Sequence, residues 1–133
     1  MPSCVTRACA PALTAAHPLV NLDTYQAHAS RTLNPALDRD ERLLDAAAGL
    51  AEEAGEILGA VRKHRFQQRP LDREALTSEL GDALWCLAAA AGALGLSLGD
   101  VAHNNLEKLR RRYPEGFSTD AAARRADEGP APR

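Results

Sequence analysis

Two short acidic clusters hold the chain's most reactive residue types: Glu52-Glu53-Ala54-Gly55-Glu56 and Glu79-Leu80-Gly81-Asp82, each inside a stretch that otherwise reads as an amphipathic helix. Residues three or four apart share a helix face, so Glu53 pairs with Glu56 and Glu79 with Asp82. Like charges at that spacing repel by about 0.2–0.5 kcal/mol when exposed, and by far more when desolvated, unless a cation lies between them. Two such pairs on adjacent helices make a four-carboxylate oxygen site, which suits a hard divalent cation such as Mg²⁺, with Mn²⁺ as a substitute. The competing reading is solvated helix surface, since Glu is a strong helix former. Against it stand the small residues Ala46, Gly49 and Ala60 beside the first cluster and the apolar run after the second. A di-iron site is disfavoured because it needs Glu-x-x-His on each of two helices, whereas the chain's one acid-x-x-His is Asp100 to His103.

Helices must position these acids. The spacing predicts a first short helix over residues 21–33, with Leu22, Tyr25, Ala29 and Leu33 on one stripe, ended by Asn34-Pro35. Asp38 with Glu41 three residues on is a capping-box pattern that opens a second helix near Arg39, running to about Arg65. On it Leu43, Leu44, Ala47, Leu50, Ala51, Ala54, Ile57, Leu58 and Val61 fill one broad apolar arc, expected to face the core. Gly55 and Gly59 weaken a helix by up to about 1 kcal/mol each relative to alanine, which is explained if they admit a neighbouring backbone or a ligand.

After a polar connection, Asp72 caps a third helix from Arg73 to about Leu94, stopped by Gly95. It is apolar on every face beyond Asp82, with Trp85, Cys86 and Ala88-Ala89-Ala90 beside a leucine and alanine stripe, and so is expected to be buried on all sides. Ser97 and Asp100 form a second capping-box pattern, opening a fourth helix that ends near Arg112 before Tyr113-Pro114. The fold class is therefore all-α, a four-helix core of one short and three longer helices. An all-round apolar third helix also implies assembly as a homodimer or a dimer of dimers.

The 133 residues suffice for one domain, spanning about residues 21–117, with a mobile arm expected over residues 1–20 and a disordered tail from Ser118 onward. Sixteen basic and eighteen acidic residues give a net charge of -2, which excludes binding nucleic acid through bulk charge. The uncharged run after Asp82 is too short in its helical part for a membrane span. The first residues lack the compact apolar run of a signal peptide. Cys4, Cys9 and Cys86 have no CxxC spacing, which favours a reducing cytoplasm and no metal role for sulfur.

Glu52-Glu53-x-x-Glu56 followed after 22 residues by Glu79-x-x-Asp82 resembles the EExxE and ExxD signature of the MazG-like all-α nucleoside triphosphate pyrophosphohydrolases. The stretches Gly49 to Glu56, Glu79 to Trp85 and Asn105-Leu106-Glu107-Lys108 through Phe117 are similar to successive blocks of that family, in order, and the likeness covers about Leu22 to Ser118. The resemblance implies Mg²⁺-dependent hydrolysis of (deoxy)nucleoside triphosphates to the monophosphate and pyrophosphate, in house-cleaning or nucleotide-pool control. It makes Glu53, Glu56, Glu79 and Asp82 the metal ligands, with Glu53 and Glu52 also acting in catalysis, Glu52 by orienting a water or by supporting the ligands from behind. It offers Lys63, Asn105, Lys108 and Arg112 to the phosphates, although a helix C-terminal charge is the plainer reading of Arg111 and Arg112. Tyr25 and His28 resemble positions that close over the nucleobase, and Trp85 is placed to stack on it, against the commoner role of tryptophan as core. His64 and His103 read as surface histidines. The family also implies oligomers. Phosphoribosyl-ATP pyrophosphohydrolase is the rival within the superfamily, but it usually carries a His shortly after the second motif, where this chain has Trp85-Cys86-Leu87. A non-catalytic helical interaction module is the rival of another class.

Overall fold

The computed structural model describes residues 18–124. The expected arm falls outside it up to residue 17, and the expected tail from residue 125. Among the described residues the protein is all-α. Helix α1 (Leu22–Ala29) is capped by Asn21, whose Oδ1 accepts from the Thr24 amide at 2.7 Å. It ends earlier than its periodicity suggests, tightening into a 3-10 turn (Ser30–Thr32). The hydroxyls of Ser30 and Thr32 donate to the carbonyls of Ala27 and Ala29 at 2.8 and 2.7 Å, a local alternative to continuing the helix.

Helix α2 (Arg39–Gln67) begins with the full capping box: the Asp38 carboxylate accepts from the Glu41 amide, and the Glu41 carboxylate accepts from the Asp38 amide, both at 2.9 Å. Such a cap contributes about 1 kcal/mol. Helix α3 (Arg73–Ala93) starts at Asp72, which accepts from the Ala75 amide at 3.0 Å, and is followed by Gly95 in the left-handed region (φ 71°). Helix α4 (Leu98–Arg112) starts at Ser97, whose hydroxyl accepts from the Asp100 amide at 2.9 Å. Only this half of the expected second capping box forms. Composition put residues 119–124 in a disordered tail, yet they form a short helix, α5 (Thr119–Arg124), with Ala121 buried.

Helices α2 and α3 lie side by side and meet through small residues. Ala46 on α2 is 2% exposed, and Cys86, Ala88, Ala89, Ala91 and Ala93 on α3 are buried. A Cβ added to Gly49 would stand 3.0 Å from the Cys86 sulfur, so the two helices approach as closely there as glycine permits. Gly55 and Gly59, by contrast, have nothing within 4 Å of an added Cβ. The expectation that they admit a neighbouring backbone is overturned, because they sit beyond the side of α2 that meets α3.

Tyr25, Ala29 and Leu84 pack on the small core of Ala88, Ala91 and Leu98. Gln26 ties the layers together: its amide donates to the carbonyls of Ala88 and Leu96 at 3.2 and 3.1 Å, and its carbonyl accepts from the Leu98 amide at 2.8 Å. One side chain thus joins α1, the end of α3 and the start of α4.

Two core expectations need correction. The apolar arc of α2 is only partly covered, with Leu44 72% and Leu58 68% exposed, because α2 turns the side carrying Ala46, Gly49 and Glu53 toward α3. Helix α3 is not buried all round either: Leu80 is 60% exposed, and Leu87 and Leu94 are exposed as well. Helix α2 runs the length of α3 on one side only, and the shorter α1 and α4 leave these leucines uncovered.

Candidate metal centre

The side of α2 that meets α3 carries alanine and glycine at its N-terminal end and a carboxylate, Glu53, one to two turns further on. Opposite Glu53 the first turns of α3 present Glu79 and Asp82. One carboxylate oxygen from each of Glu53, Glu79 and Asp82 lies within 4.8 Å of the other two. Glu53 and Glu79 are half-buried and Asp82 is exposed, so the cluster opens to solvent on one side.

Bringing three acids together has an electrostatic signature. Partial burial pushes the Glu53 carboxyl above the ordinary carboxylate range, and a side-chain hydrogen bond with Glu79 acts in the same direction. The charges of Asp82, Glu79 and Glu52 add to it. A carboxyl raised in this way is what like charges held together with no cation between them produce. Burial also raises the Cys86 thiol, assisted by the charge of Glu53 and then of Asp82. Tyr25, packed on the core beside α3, is raised by burial and then by the charges of Asp82 and Cys86.

The donor set is oxygen-only, carboxylate-rich and solvent-accessible. It fits a hard divalent cation that keeps some of its water, and it lacks the nitrogen and sulfur that zinc or iron would prefer.

Glu56 is not among the three converging acids. It lines a cleft of about 230 Å³ beside them, together with Glu79, Lys63, Arg69 and Asp72. Lys63 therefore does stand by the acids. Asn105 and Lys108 do not: they line a groove of about 550 Å³ with Leu84, Leu87 and Leu98, on another side of α3. Arg112 is half-buried in the last turn of α4, four residues beyond Lys108. Glu52 is exposed and reaches the cluster only through its charge on Glu53.

Trp85 is half-buried, and its indole N–H donates to the Thr32 hydroxyl at 2.8 Å. It lines a cavity of about 270 Å³ with Gln26, Ser30 and Ala89, a position between core and ligand-stacking roles. His28 is exposed in the last turn of α1, and His103 is exposed on α4. His64 is more than a surface histidine: its Nδ1–H donates to the Arg69 carbonyl at 2.7 Å. Sequence reading missed Arg69 and Gln26. The one available signal for Gln26 was a polar residue beside the apolar stripe of α1. For Arg69 there was only a cation in a polar connection.

An all-α protein with a carboxylate centre between two antiparallel-capable helices is the class defined by this geometry. The chain belongs to the MazG nucleotide pyrophosphohydrolase domain family, whose model matches residues 42–117. Among curated relatives, the Gene 37 protein of Mycobacterium phage L5 is 35% identical over 105 residues, covering 73% of this chain and 92% of that protein. The uncharacterized protein YvdC of Bacillus subtilis (strain 168) is 37% identical over 73 residues, covering 48% of this chain and 69% of its own. No solved structure matches. The matched segment contains all three converging acids. Among the described residues no single helix is long and apolar enough to cross a membrane.

Proposed function

We propose that the protein hydrolyses (deoxy)nucleoside triphosphates to the monophosphate and pyrophosphate with Mg²⁺ as cofactor, in house-cleaning or pool control in a reducing cytoplasm. The observation that carries this reading is the convergence of Glu53, Glu79 and Asp82 within 4.8 Å across the α2–α3 contact, inside a segment that belongs to a nucleotide pyrophosphohydrolase family. Those three carboxylates would hold the cation, and Glu56, which shares a cleft wall with Glu79, would complete the set. A bound divalent cation supplies charge neutralisation on the triphosphate and lowers the pKa of water. The protein's own residues do the rest. Glu53 would accept a proton from the attacking water, and Glu52 would orient that water from the rim. Tyr25, His28 and Trp85 would flank the base from α1 and α3.

Assembly as a homodimer or dimer of dimers is part of the reading. Leu44, Leu58 and Leu80 are large apolar side chains left 60–72% exposed on α2 and α3, and a second copy would cover them. Asn105 and Lys108, which face away from their own acids, would meet phosphates at the centre of a second copy. Leu58→Lys is then expected to shift the sedimentation coefficient to that of a smaller species.

The test of the activity is pyrophosphate release over a panel of canonical and modified triphosphates, with Mg²⁺ and then with chelator. The expected result is metal-dependent release from at least one of them. If none yields pyrophosphate while the folded protein binds Mg²⁺, the activity is refuted and the acids are a structural metal site.

A further inference from the structure

The cleft beside the metal centre has a built-in polarity. One end is walled by Glu56 and Glu79, and the other by Lys63 and Arg69 at the connection between α2 and α3. Among the described residues neither cation is held in an ion pair, although the carboxylates of Glu56, Glu79 and Asp72 line the same cleft. Asp72 is occupied in capping α3 through the Ala75 amide. Two uncommitted cations so close to an acidic centre are suited to the charge of a polyphosphate that the centre has already bound.

The backbone holds Arg69 in this place. Gln68 adopts the left-handed region (φ 54°) and so reverses the chain at the end of α2. The amides of Gln68 and Arg69 both donate to the Lys63 carbonyl, the latter at 3.5 Å. From the last turn of α2 the imidazole of His64 donates through Nδ1 to the Arg69 carbonyl at 2.7 Å. Pro70 follows and restricts the Arg69 backbone to extended conformations. A non-glycine residue at positive φ, a turn bonded back to Lys63 and a histidine clamp together fix a connection that would otherwise move.

We propose that Arg69, with Lys63, is the seat for the two terminal phosphates of the substrate, and that His64 is the positioning residue that holds Arg69 there. The inference rests on the proposed triphosphate hydrolysis and adds a direction to it. Water adds to the α-phosphorus, the bond to the bridging oxygen breaks, and that oxygen leaves with the electron pair as part of pyrophosphate. The water's proton passes to Glu53. The departing charge develops toward Lys63 and Arg69, whose donors neutralise it. The nucleoside then lies at the opposite end, beyond Asp82, where Tyr25 stands.

Equilibrium binding of inorganic pyrophosphate and of a deoxynucleoside monophosphate, each with Mg²⁺ and the full chain, tests the assignment. Arg69→Ala is expected to weaken pyrophosphate about tenfold or more, with monophosphate and Mg²⁺ affinities within about twofold of wild type. Arg69→Lys should retain part of the loss-making contact as a point charge. His64→Ala should weaken pyrophosphate in the same selective way, and His64→Gln, which can still donate to the carbonyl, should recover most of it. Unchanged pyrophosphate affinity in Arg69→Ala, or an equal loss for the monophosphate, overturns the inference. If wild type turns over triphosphates under either of those outcomes, only the phosphate seat is wrong. If wild type neither binds pyrophosphate nor hydrolyses any triphosphate, the proposed function falls with it.

Discussion

The two halves of the α2–α3 contact are built from the same pair of helices and do opposite things. At one end Gly49 approaches the Cys86 sulfur and Ala46, Cys86, Ala89 and Ala93 are buried, with Gln26 tying that end of α3 to α1 and α4. At the other end Glu53 faces Glu79 and Asp82, half-open to solvent, with one carboxyl pushed up by its neighbours. The first half spends its small residues on approach and gains stability. The second half uses the spacing so set to hold like charges together. Rigid packing at one end of a helix pair is thus what makes strained electrostatics affordable at the other, and the two should respond differently to mutation.

The largest expected effect is on activity alone. Glu53→Gln and Asp82→Asn should each reduce pyrophosphate release on the order of 10³-fold. In metal-free buffer their melting temperatures should be equal to or above that of wild type, because one of several crowded charges is gone. A marked fall in metal-free melting temperature would make the acids part of the scaffold and erase the contrast. Next comes the converse. Gln26→Ala removes three hydrogen bonds and strands the amide of buried Leu98, costing roughly 2–3 kcal/mol by chemical denaturation. Turnover per folded molecule should change little. The smallest effect separates two glycines on one helix. Gly55→Ala meets open space and should stabilise by about 0.5–1 kcal/mol. Gly49→Ala must push against the Cys86 sulfur and should gain less or lose outright in the same denaturation series.

The same contrast explains what could be read from the chain. Caps at Asp38, Asp72 and Ser97, and the acids Glu53, Glu79 and Asp82, are legible because their signals are local: a side chain and an amide three residues away, or two carboxylates on one helix face. What failed depends on which way a helix turns. The apolar arc of α2 reads as its core face, yet Leu44 and Leu58 look outward while a smaller, partly acidic side meets α3. Propensity marks every helical glycine alike, so only the partner helix tells the close approach at Gly49 from the open space at Gly55 and Gly59. The contact between His64 and Arg69 is illegible for a related reason. Their meeting depends on a reversal at Gln68, a residue with no turn preference strong enough to announce it.

The most direct measurement is calorimetric titration of Mg²⁺ or Mn²⁺ into wild type and Asp82→Asn, repeated in buffers of different ionisation enthalpy. Wild type should take up the cation saturably and release protons as it does so, because Glu53 carries a raised pKa and must give up its proton to bind. The affinity should therefore strengthen as pH rises through that pKa. Asp82→Asn should lose most of the uptake. Absence of saturable binding at millimolar metal, or binding that Asp82→Asn leaves intact, would contradict the claim that these carboxylates converge to hold a cation.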